Sequence, residues 1–102
     1  MTVSLHHAHI FASDITATVA WWRTMLGGEV VFDGDFGGAR NVFMRVGDGR
    51  LHIYDQRPLD GSHSAVHHLG ICCDDLPEKM AEMQAKGVIF RSDIREFGNW
   101  RY

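Results

Sequence analysis

The chain has 102 residues, of which 45% are hydrophobic and 23% charged, which suits one ordinary globular domain. No apolar run nears the roughly 18 residues that a spanning helix needs. The opening Met1-Thr2-Val3-Ser4-Leu5-His6 lacks the basic-then-apolar pattern of a secretory leader, so a cytoplasmic location and no membrane partner are expected. A net charge of −3 argues against nucleic acid as a partner, because such binding usually draws on a basic face.

In chain order, the first predicted strand covers residues 5–12 and carries His6, His7 and His9. A helix follows over 15–26. Ile15, Val19, Trp22 and Leu26 recur at spacings of four, three and four, which makes one apolar face. Ser13 or Asp14 caps its start and Gly27-Gly28 ends it. Strands are expected over 29–33, 39–46 and 50–56. The turn-prone run Asp33-Gly34-Asp35-Phe36-Gly37-Gly38 separates the first two, and Gly47-Asp48-Gly49 separates the second pair. Residues 56–64 read as a polar linker with Pro58 and Gly61. A strand over 66–73, a helix over 76–86 and a strand over 88–94 complete the pattern. The second helix has Asp74 or Asp75 as its cap, Pro77 in its first turn, Leu76, Met80 and Met83 as its apolar face, and Gly87 at its end. Cys72 and Cys73 are adjacent, so their side chains leave a strand on opposite faces and read as two reduced thiols.

One pattern occurs twice. His6-His7, Ile10 and Asp14 return 61 residues later as His67-His68, Ile71 and Asp75, and each copy runs into a helix. The expected fold is therefore α+β, with a first module at 1–57 and a second, incomplete one at 65–102.

Strand parity assigns faces. His7 and His9 share one side of the first strand, and Ala8, Ile10 and Ala12 share the other, which suits packing beneath the helix. By the same parity His68, Gly70 and Cys72 oppose Leu69, Ile71 and Cys73. His52 and Tyr54 oppose Leu51 and Ile53. His6, His63 and His67 read as surface or hydrogen-bonded residues. Trp21 and Trp22 read as core and helix flank. Arg40, Asn41 and Arg45 lie on a strand that borders the histidine side. A solvated arginine is the ordinary reading there, with anion binding by Arg40 or Arg45 as the alternative.

His7, Asp14, the aromatic pair Trp21-Trp22 and Leu26-Gly27, repeated in part from His68 to Gly87, resemble the vicinal oxygen chelate superfamily. It includes glyoxalases, bleomycin-resistance proteins, fosfomycin-resistance enzymes and extradiol dioxygenases. The resemblance implies paired βαβββ modules whose mixed sheets curl into a cup, the second module truncated at its C-terminus here. It further implies a divalent metal (Zn, Ni, Fe or Mn) held by His7 and His68 from the first strands and by His52 from the last strand of module one. Asp55 competes for the place of His52 if the register slips by one. His9 and Tyr54 are the expected proton-moving residues, His9 being the better match to neutral pH. The family's fourth ligand, commonly Glu, would fall near position 113, beyond Tyr102. An exposed edge beside an unfilled cup leads to the expectation of a homodimer.

The resemblance implies a metal-dependent isomerase, lyase or dioxygenase acting on a small molecule with vicinal oxygens. The alternatives are a non-catalytic, antibiotic-sequestering protein of the bleomycin-resistance type and a chain with only a structural role.

Overall fold

The structure, a computed structural model, describes residues 1–57, 66 and 68–102, and only the backbone of residue 36. Residues 58–64 of the linker expected over 56–64, and the second-copy residue His67, lie outside the described residues. The chain divides into two compact units, Met1–Ala65 and Val66–Tyr102.

The first unit runs β1 (Ala8–Phe11), α1 (Ile15–Leu26), β2 (Glu29–Phe36), β3 (Ala39–Val46) and β4 (Gly49–Tyr54). The four strands form one mixed sheet in the order β1-β4-β3-β2. β1 lies parallel to β4, and the other pairs are antiparallel. The antiparallel neighbours need only tight turns between them. The parallel pair needs a long crossover, which α1, β2 and β3 supply.

Helix α1 has the bounds its sequence predicts. The Asp14 carboxylate accepts from the Ala17 amide at 3.0 Å, satisfying one of the first-turn donors. Gly27 takes a left-handed φ of 66° at the C-terminus, where a side chain would be strained. Gly28 then passes so close to β3 that an added Cβ would sit 3.0 Å from Cε of Met44. Ile15 and Val19 of α1 bury against Val42, Met44, Leu51 and Ile53, with Ala8, Ile10 and Trp22 packed at the margin. Ala8, Ile10, Leu51 and Ile53 are on the side that parity sets against the histidines, and Val42 and Met44 of β3 join them there.

β1 and β2 depart from the sequence expectation by more than the residue or two by which β4 does. β2 continues through Asp33-Gly34-Asp35 to Phe36, and the turn is confined to Gly37-Gly38, both at positive φ. Pairing with β3 holds this polar stretch extended, Asp33 opposite Val42 and Asp35 opposite Arg40. β1 begins only at Ala8, because its ladder with β4 starts at Ala8 opposite Leu51. His6 and His7 therefore precede the strand.

The second unit contains α2 (Leu76–Ala85) and a short hairpin of β5 (Glu96–Phe97) and β6 (Trp100–Arg101). Asp75 caps α2, accepting from the Glu78 amide at 2.9 Å. The strands expected over 66–73 and 88–94 are not formed among the described residues. β1 takes its hydrogen bonds from β4, and among the described residues of this unit only β5 and β6 pair, with each other. A lone extended segment keeps its backbone groups toward water and gains nothing from strand geometry.

Candidate metal centre

The sheet face opposite α1 holds the chemistry. Cross-strand register places His9 beside His52, His52 beside Phe43, and Phe43 beside Phe32, so a row of rings crosses the sheet. One step along, Tyr54 pairs with Phe11 on one side and Asn41 on the other. His52 sits on the central strand β4 and is only 6% exposed. Its ring is stacked between two others. Phe43 lies at a centroid distance of 3.7 Å and 13° between planes, and His7 at 3.7 Å and 18°.

His6, His7 and His52 form a cluster whose ligand atoms all lie within 4.8 Å of one another. Nδ1 of His6 and Nδ1 of His7 are 2.9 Å apart, so one of them carries the shared proton. Sequence parity missed His6. Adjacent residues separate onto opposite faces only within a strand, and this pair precedes β1, where the backbone is free to turn both rings the same way. The only sequence signal was the His-His doublet.

Burial, then the neighbouring His7, His9 and His6, then Arg50 push the His52 pKa down to about 4. His52 is thus a neutral imidazole at physiological pH, the form that binds metal. Its Nε2 is buried and has no hydrogen-bond partner. Such an atom costs roughly 1–3 kcal/mol if left unsatisfied. A metal ion is one partner that would satisfy it, and two or three neutral imidazoles form a donor set suited to Zn, Ni or Fe. The chain's own residues fit such an ion. The parallel stack must open first, because two imidazoles on one ion aim their in-plane lone pairs at a common point. His7 is exposed and precedes β1, so no ladder hydrogen bond holds its backbone.

His9 is exposed on the same face, with ring centroids 5.9 Å from His52 and 5.8 Å from Tyr54. The Tyr54 hydroxyl donates to the Gly37 carbonyl, which ties β4 to the β2–β3 turn. Asp55 accepts through no described side-chain contact and follows the end of β4, while its amide donates to the Arg40 carbonyl at 3.0 Å. His68 lies in the second unit, exposed, ahead of α2.

Arg40 is not on this face. It lies on the helix side, where its Nε and Nη2 each donate to the Asp33 carboxylate at 2.8 Å and its Nη1 reaches the Thr16 hydroxyl at 3.4 Å. This hydrogen-bonded pairing holds the Asp33 carboxyl below the usual carboxylate range. Even-numbered residues of β3 point toward α1, so Arg40 lies on the strand that borders the histidine strand but on its other side. Arg45 does lie on the histidine side, ion-paired with Glu29.

Among the described residues no helix is long and apolar enough to cross a membrane. Several solved structures share the fold. The fosfomycin resistance protein FosX from Listeria monocytogenes aligns with a TM-score of 0.70 at 16% identity, over 91% of this chain and 77% of that one. The same protein complexed with Mn(II) and sulfate aligns at 0.68 and 17%, over 93% and 80%. Lactoylglutathione lyase from Agrobacterium tumefaciens aligns at 0.65 and 18%, over 97% and 80%. No curated protein sequence matches the chain. A family model described as the glyoxalase/bleomycin resistance protein/dioxygenase superfamily matches residues 6–102, nearly the whole length. With that match and the α+β fold built on a mixed sheet, the chain belongs to the glyoxalase/bleomycin resistance protein/dioxygenase superfamily.

Proposed function

We propose that this protein is a divalent-metal-dependent enzyme, of isomerase, lyase or dioxygenase type, acting on a small molecule with vicinal oxygens. The observation that carries the reading is the buried, unprotonated His52, whose Nε2 lacks a partner and whose ring meets His7. His7 and His52 are the ligands drawn from the first unit. The repeat, rather than any geometry of the first unit, nominates His68 as a third. The family resemblance, together with FosX crystallised with Mn(II), supports a metal of the Zn, Ni, Fe or Mn group. The paired-module organisation, a homodimer and a cytoplasmic location belong to the same reading.

Once bound, the ion supplies Lewis acidity toward a chelated substrate oxygen. The chain's own residues do the rest. His6 shares a hydrogen bond with Nδ1 of His7, which orients the His7 ring and leaves its Nε2 outside that bond. Phe43 holds the far side of the His52 ring and excludes water from it. His9, exposed beside His52, is the proton carrier, since an imidazole exchanges protons near neutral pH. Tyr54 orients: its hydroxyl hydrogen is committed to the Gly37 carbonyl, so its oxygen can only accept from a substrate.

The test is turnover on hemithioacetals, α-hydroxyketones and catechols, by metal-free and metal-loaded protein. Turnover that requires metal and falls by about 10²–10⁴ in His9→Gln, with metal content unchanged, supports the reading. Tight, metal-independent binding without turnover would favour the sequestering alternative.

A further inference from the structure

The three arginines of the first sheet differ in what they touch. Arg40 is neutralised by Asp33 on the helix side, and Arg45 is neutralised by Glu29 on the histidine side. Arg50, exposed on β4, is paired with no carboxylate among the described residues. The register places it directly opposite Arg45. Side chains so placed have Cβ atoms about 4.5–5.5 Å apart, and like charges there repel. Glu29 answers one of the two charges, and one positive charge stays uncompensated on this face.

Arg50 stands two residues before His52 on the same strand, so both side chains leave the same face about 6.8 Å apart. Phe43, opposite His52, and Phe32 beyond it give the strip between them an apolar floor.

We infer that Arg50 is an anion-binding, specificity-determining residue, and that the substrate carries a carboxylate, phosphate or phosphonate a few bonds from its vicinal oxygens. A bidentate guanidinium fork suits these groups, and the repulsion from Arg45 is relieved when an anion sits between the two arginines. The inference rests on reading the His52 face as the substrate face.

Binding of two ligand pairs that differ only in the anion tests it. Glycerol 3-phosphate is compared with glycerol, and 3,4-dihydroxybenzoate with catechol, by NMR titration of metal-free and Zn(II)-loaded protein. The anionic member of each pair should bind roughly tenfold to a hundredfold tighter, the reach of one charge-assisted hydrogen bond. Arg50→Gln should abolish the preference, Arg50→Lys should keep part of it, and Arg40→Gln should leave it whole. A preference absent from the unmodified protein, or unchanged in Arg50→Gln, overturns the inference even where Zn(II) binds. A preference that depends on Arg50 in a protein that takes up no metal supports the anion site and counts against the metal reading instead.

Discussion

Helices α1 and α2 begin alike and end in different surroundings. Asp14 and Asp75 cap them with nearly the same backbone, φ −140° and ψ 92° against φ −134° and ψ 90°. Each carboxylate accepts from the amide three residues on. Yet α1 buries Ile15 and Val19 against the four-stranded sheet, and no residue of α2 is buried. The capping signal is local and survives in both copies. Burial needs a sheet, and the described strands of the second unit are two residues long each. Local chemistry starts a helix, and packing decides how much it contributes to stability.

Truncating the core on each side should separate the two helices most strongly. Ile53 is fully buried beneath α1, so Ile53→Ala should lower the unfolding free energy by about 2–5 kcal/mol in urea denaturation. Met83→Ala, on the half-buried face of α2, should stay within about 1 kcal/mol. Equal losses would mean that α2 is packed as well as α1.

Acid should act through the first unit. Between pH 6.5 and about 4 the unfolded chain takes up a proton at His52 that the folded chain refuses. The contribution is therefore whole above pH 6.5 and is lost as pH falls toward 4, by at most about 3 kcal/mol. Urea midpoints at pH 7.5, 5.5 and 4.5 should fall in that order, and His52→Gln should flatten the trend. A wild-type slope retained in His52→Gln would move the effect to other groups.

The caps give the smallest effect. Asp14→Ala and Asp75→Ala should each cost their helix about 1 kcal/mol. Hydrogen exchange should show the second loss as faster exchange confined to α2. The first should spread through the first unit, because α1 shares its core with the sheet.

This contrast also explains what the sequence made legible. α1 was readable to the residue because its cap, its apolar face and Gly27-Gly28 are all local. β3 was readable because it lies between two local turn signals, Gly37-Gly38 and Gly47-Asp48-Gly49. The extension of β2 through Asp33-Gly34-Asp35 was not, since it depends on the distant Arg40 and on pairing with β3. The strands expected over 66–73 and 88–94, not formed among the described residues, had apolar patterns, but a strand is a property of two segments. Within the site, parity put His9 and His52 on one face. It did not show that Phe43 and His7 would sandwich His52, nor that His6, outside the strand, would join them. The side of β3 that Arg40 takes was not legible, because it is fixed by which residues α1 covers.

Metal stoichiometry tests the central claim most directly. Protein stripped with chelator, refilled with Zn(II), Ni(II), Mn(II) and Fe(II) in turn and desalted, should retain about one ion per chain of at least one of them by elemental analysis. In His7→Ala and His52→Gln, both shown to be folded by circular dichroism, retention should fall to background, while Arg40→Gln should match the unmodified protein. Failure of the unmodified protein to hold any of the four ions, or undiminished retention in both histidine variants, would contradict a metal centre built on His7 and His52.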